Sequence, residues 1–313
     1  MAVPAVAQEK PDASALAGSA VHDANVVQQP PSDVVAAILA FASREKRMTV
    51  PVRIDGEGPY PFVIDTGAER TVIASELADS LGLSAGPVVT VAALSGRESV
   101  GTFLLPSISV DSFPRTHGVA APGFGFADLG AHGLLGLDFL AGHAVRIDFD
   151  RSEMSVRPSR GKRHHFSRRN DEIVVRAKRE HGALVLTDAH YGHRRIRVLI
   201  DTGTAVTIGN AAMRDLVTRR SDLSDPITIT SVTGRSVTSR YARVDGISIG
   251  SVGFSEMPIA FVEAAPFDLL VYHDEPALIL GMEVLRAFRY VEIDFAASEI
   301  RFGIPRANRY RFG

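Results

Sequence analysis

Phe62-Val63-Ile64-Asp65-Thr66-Gly67-Ala68 and Val198-Leu199-Ile200-Asp201-Thr202-Gly203-Thr204 are two versions of one phrase. In each, a short apolar run ends in Asp-Thr-Gly, the composition of a buried strand that breaks into a tight turn and presents one carboxylate. Other landmarks recur in the same order. Asp65 to Asp201 is an offset of 201 − 65 = 136, Gly96-Arg97 to Gly234-Arg235 gives 234 − 96 = 138, and Ile108-Ser109 to Ile247-Ser248 gives 247 − 108 = 139. Leu135-Gly136 to Leu280-Gly281 gives 280 − 135 = 145, and Ile147-Asp148-Phe149 to Ile293-Asp294-Phe295 gives 293 − 147 = 146. Such a one-way drift is what an internal duplication leaves when loops gain residues.

The chain has 313 residues, enough for two modest lobes, and 45% hydrophobic residues are ample for a core. A net charge of −2 argues against nucleic acid as the main partner, since phosphate binding leaves a domain strongly basic. With no cysteine, disulfides, thiolate metal sites and a cysteine nucleophile are all excluded. His190 and His193 stand three apart without a third ligand in view, which reads as surface histidines rather than zinc.

Near the start, Ala5-Val6-Ala7 has the small-x-small pattern that signal peptidase reads, so residues 1–31 read either as a signal-peptide remnant with a disordered tail or as an alanine-rich flexible terminus. Ser32 or Asp33 caps an expected helix over residues 32–47, whose apolar run is far too short to span a membrane. Strands are expected at 48–54 and 61–64, and in the second copy at 183–189 and 196–200. A short helix follows each Asp-Thr-Gly, at 75–81 with Gly82 as its stop and at 210–218. The reading is a mostly β protein with a first lobe at 48–157, a basic linker and lobe start at 158–182, and a second lobe at 183–313. Arg157, Arg160, Lys162, Arg163, Arg168 and Arg169 give that junction its charge, as a solvated linker or as a basic patch.

The run Ile64-Asp65-Thr66-Gly67-Ala68-Glu69-Arg70-Thr71-Val72-Ile73 closely resembles the active-site segment of retropepsin-like aspartic proteases. Asp201-Thr202-Gly203-Thr204 with Thr207-Ile208 is a looser match, and Leu134-Leu135-Gly136 and Ile279-Leu280-Gly281 resemble the family's later apolar-apolar-Gly element. The likeness covers about residues 48–303 and is that of a single-chain, duplicated form. By resemblance it is similar to bacterial secreted members, including the PerP-type periplasmic proteases. The resemblance implies a two-lobed fold in which the two turns face each other across a pseudo-twofold axis, a monomer, a protein or peptide substrate held extended, and a periplasmic location.

Two carboxylates brought together in this way cannot both ionise cheaply, so they share a proton. The ionised one takes a proton from a water held between them, the water attacks the peptide carbonyl, and the protonated one donates to the developing oxyanion. No metal or cofactor is needed. Gly67 and Gly203 let the backbone turn closely enough to aim its amides at the carboxylates. By resemblance, Thr66 and Thr202 hydrogen-bond across the lobes. The hairpins around Ser95-Gly96-Arg97 (residues 91–103) and Thr233-Gly234-Arg235 (residues 229–244) read as paired flaps over the substrate or as ordinary surface hairpins. Asp148 and Asp294, and Asp138 and Glu283, are read as structural pairs, the latter favouring helix N-termini. Two functions stay open, an aspartic endopeptidase and a groove that grips extended peptides without efficient catalysis. Retention of both aspartates favours the enzyme.

Overall fold

The computed structural model describes the strand at residues 25–28, and residues 48–93, 96–110, 115–159, 161, 171–180, 183–218, 223, 226–230, 236–262, 267 and 274–304. Thr49–Ile54 alternates strictly, turning Val50, Val52 and Ile54 inward, and pairs with Glu57–Ile64 as an antiparallel hairpin. Six strands then close a barrel in the order Thr49–Ile54, Glu57–Ile64, Gly133–Leu135, Val72–Ala74, Thr116–Phe124 and Thr102–Val110. The last returns to the first, with Val110 opposite Val52 and Ile108 opposite Ile54.

One strand of that barrel sets the site. Gly133–Leu135 runs parallel to Phe62, Val63 and Ile64 on one side and antiparallel to Val72 and Ile73 on the other. The chain entering the Asp65 turn and the chain leaving it are therefore both bonded to the same three residues. The pattern repeats in the second half, where Ala277–Leu280 lies parallel to Arg197–Ile200 and antiparallel to Ile208–Gly209. The ladder runs on into each turn, with Asp65 N donating to Leu135 O at 3.0 Å and Asp201 N to Leu280 O at 3.1 Å. The apolar-apolar-Gly element is thus the strand that clamps the turn, and its glycine is required by space. A Cβ on Gly136 would collide with the Arg70 backbone, and one on Gly281 with that of Val206.

The expected helices form at Ser75–Ser80 and Ala211–Val217. Gly82, at φ +63°, ends the first. Asn210 caps the second by accepting from Met213 N at 2.9 Å, a cap worth about 1 kcal/mol.

The halves are joined by a shared sheet ordered Glu153–Pro158, His143–Asp148, Tyr290–Asp294, Glu299–Gly303 and Glu172–Glu180. At its centre Val145 faces Ile293 and Ile147 faces Val291 across an antiparallel pairing. Val145, Ile147, Val291, Ile293, Ile300 and Phe302 are buried on one face, while Arg146, Asp148, Glu292, Asp294 and Arg301 line the other. Asp148 and Asp294 are structural, as expected. Each caps the turn beyond its strand, accepting from Arg151 N at 3.1 Å and Ala297 N at 2.9 Å respectively. The architecture is mostly β and two-lobed, a retropepsin-like fold.

Three details depart from the reading of the sequence. Arg157, read with the basic linker, belongs to the strand Glu153–Pro158 and pairs with Glu292 at 2.6 Å rather than facing solvent alone. Asn25–Gln28, placed in a stretch expected to lack structure, is a strand parallel to Val252–Ser255. The second half makes the same ring of pairings with interrupted strands, so that its strands are divided between the twelve-stranded sheet and a five-stranded one. The helix expected over 32–47 and most of the basic run lie outside the described residues.

Candidate active site

Asp65 and Asp201 meet at the junction of the lobes, with their carboxyl groups within hydrogen-bonding reach of each other. Each is also held by its own turn. Gly67 N and Ala68 N donate to Asp65 Oδ1 at 2.9 and 3.0 Å, and Gly203 N donates to Asp201 Oδ1 at 2.8 Å. The amides of Gly67 and Gly203 point where the sequence reading put them, but the reason for glycine is different. Neither residue has a positive φ. A Cβ on Gly67 would instead run into the Asp201 carboxyl group, and a Cβ on Gly203 into that of Asp65. Each glycine is the floor against which the opposite aspartate rests, so close approach rather than turn conformation excludes a side chain.

The threonines interlock. Thr66 Oγ1 donates to Ile200 O at 2.7 Å and accepts from Thr202 N at 3.1 Å. In return, Thr202 Oγ1 donates to Ile64 O at 2.7 Å and accepts from Thr66 N at 3.2 Å. Both side chains are buried, at 4% and 5% exposure, so all four bonds are shielded from water. The hydroxyl and amide of each threonine are thus satisfied by the other half.

Burial pushes the Asp201 carboxyl well above the usual carboxylate range, and the charge of Asp65 and a hydrogen bond from Asp201 to it push in the same direction. The bonds from Gly203 and Thr204 amides pull the other way and are outweighed. Ionising both carboxyl groups at once is therefore disfavoured, and the two titrate as a pair.

A support that the sequence reading did not identify lies just behind the first turn. Asp138 Oδ1 accepts from Thr71 N at 2.8 Å and Thr71 Oγ1 at 2.7 Å, and Thr71 Oγ1 in turn accepts from Gly136 N at 3.3 Å. Asp138 does more than favour the N-terminus of Leu137–Leu140, since it ties that helix to the strand leaving the Asp65 turn. The second half keeps Gly281 N donating to Thr207 Oγ1 at 3.2 Å, but the position of Asp138 is taken by Glu283. Burial lifts Glu283 to about 7, with Arg243 pulling it back down. The recurrence of threonine at the 136-residue offset (207 − 71 = 136) was the available signal.

Of the flap residues, Gly96 and Arg97 lie at the start of Gly96–Val100, which pairs with Val89–Ala93 as a two-stranded sheet. Ser95 is outside the described residues, as are Thr233, Gly234 and Arg235. The strands flanking that second tip, Ile227–Thr230 and Ser236–Val244, form a hairpin continuous with the large sheet. Hairpins stand at both expected places but are built differently. Among the described residues no cluster of three His, Asp or Glu side chains could hold a metal ion, and no helix is long and apolar enough to cross a membrane.

No curated protein matches the chain. The aspartyl protease family model matches it at residues 50–139 and 188–284, two segments that contain both Asp-Thr-Gly turns and both Leu-Gly elements, and the chain belongs to that family.

Proposed function

We propose that the protein is an aspartic endopeptidase whose catalytic pair is Asp65 and Asp201, one from each repeat. The observation that carries this reading is the meeting of two carboxyl groups on reciprocal glycine floors. A binding groove has no physical need for juxtaposed carboxylates, which cost free energy to keep together. Asp65 takes a proton from the water between the two, the water attacks the peptide carbonyl, and Asp201 donates its proton to the carbonyl oxygen. Thr66 and Thr202 hold the separation.

The substrate is a protein or peptide strand held extended under the paired strands Val89–Ala93 and Gly96–Val100 and the paired strands Ile227–Thr230 and Ser236–Val244. We take the protein to act as a monomer with internal pseudo-twofold symmetry, because each half supplies what the other lacks. We also place it outside the cytoplasm, in a bacterial periplasm, on the strength of the resemblance to secreted members of the family and the absence of cysteine.

The test is cleavage of an unfolded protein across pH by wild type, Asp65→Asn and Asp201→Asn. Both variants should lose about 10²- to 10⁴-fold in rate, and wild-type activity should fall as pH rises through the raised pKa of Asp201. Activity that survives either change would overturn the shared dyad, and absence of cleavage by wild type would favour the peptide-binding reading.

A further inference from the structure

The first half closes its barrel by pairing Thr49–Ile54 with Thr102–Val110. The corresponding strands of the second half, Ala189–Tyr191 and Ile247–Ile249, also pair, and among the described residues the next strand, Val252–Ser255, has only Ile247–Ile249 as a neighbour from its own lobe. Val252 and Phe254 are core residues at 1% and 3% exposure, so this strand cannot be blunted with charges on its inner face. An uncovered edge of this kind offers a row of backbone donors and acceptors to any extended chain. Here Asn25–Gln28 covers it, parallel and in register, with Val26 opposite Gly253 and Val27 opposite Phe254.

We propose that the outer edge of Val252–Ser255 is a strand-acceptor site, and that its occupant is the N-terminal segment of this same chain, acting as a tethered ligand. The segment lies outside both family-matched stretches and precedes the first strand of the first lobe. Its paired valines suit an extended backbone, and main-chain bonding supplies the recognition. Residues 29–48 connect it to Thr49 of the first lobe, a span of up to roughly 70 Å when extended, so reach is not limiting. Tethering at effective concentrations on the order of millimolar compensates for the weakness of a four-residue strand. The segment therefore straps the second lobe to the first strand of the first. The ligand class is an extended peptide free of proline at its central positions.

Amide hydrogen exchange on the full chain tests this without reference to activity. In wild type, the amides of Val26–Gln28 that face the edge, and those of Val252–Ser255 that face them, should be protected. Val26→Pro with Val27→Pro should speed exchange in Val252–Ser255 by about tenfold or more, leave Thr102–Val110 unchanged, and be reversed by millimolar synthetic peptide spanning residues 22–31. Random-coil exchange at Val26–Gln28 in wild type, unchanged protection of Val252–Ser255 in the variant, or failure of the peptide to restore it would each overturn the proposal.

Discussion

Arg146 faces Glu292 directly across the central strand pairing, with Arg146 Nη1 3.7 Å from Glu292 Oε2. The two positions correspond in the duplication, since 292 − 146 = 146 is also the offset of Ile147 and Ile293. This is where the repeated strand meets its own copy. Two identical halves would bring like charges together there, whereas this chain has placed a cation in one copy and an anion in the other. Arg157 adds a second guanidinium to Glu292 at 2.6 Å, and Arg146 also lies 3.6 Å from the centre of the Tyr290 ring.

Glu292→Gln leaves two guanidinium groups without their shared carboxylate. We expect a loss of about 1–2 kcal/mol in urea denaturation at low salt. The loss should shrink in 1 M salt, where the residual repulsion is screened.

Thr66→Val removes the hydroxyl that serves both Ile200 O and Thr202 N, leaving two buried backbone groups unpaired. Each costs about 1–3 kcal/mol, and the displaced dyad should lower kcat by about tenfold or more. Thr66→Ser keeps the hydroxyl and should restore most of both. Paired kinetic and denaturation measurements on the two variants would settle it. Normal turnover in Thr66→Val would show that the interlock does not set the geometry.

Gly203→Ala puts a methyl group where the Asp65 carboxyl rests. Overpacking of this kind costs about 1–3 kcal/mol, so the fold should survive while kcat drops by about 100-fold. Gly246→Ala is the control. It lies at φ +79°, outside the site, and should affect stability without a comparable effect on turnover.

Glu283 gives the protein a pH dependence separate from that of the dyad. Its folded pKa of about 7 stands above its ordinary 4.5, so the stability it contributes is fully present below pH 4.5 and is lost as pH rises through 7. Glu283→Gln should remove that loss. Melting temperatures of wild type and variant should diverge in favour of the variant by roughly 2–4 °C or more between pH 4.5 and 8. Parallel curves would mean that the carboxyl is solvated.

The repeat itself was legible because a duplication leaves local marks. Asp65 and Asp201, the Leu-Gly elements and the helices after each turn all stand out as short patterns. What could not be read depends on how distant strands come together. Nothing local to Arg146 announces Glu292, and the clash that forbids a side chain at Gly67 exists only once Asp201 is in place. Thr71 and Asp138 are 67 residues apart and become partners only when Gly133–Leu135 is laid between the flanking strands. Asn25–Gln28 escaped because four residues with two valines carry too little periodicity to outweigh their polar surroundings.

The reciprocal threonine bonds have a consequence for the chain while it is being made. A ribosome releases the first lobe before the second, and at that stage Thr66 lacks Ile200 O and Thr202, while Asp65 has no second carboxyl beside it. A first half alone therefore lacks the second carboxyl, and on the proposed mechanism the pair is complete only once synthesis has passed Leu280, whose carbonyl bonds Asp201 N.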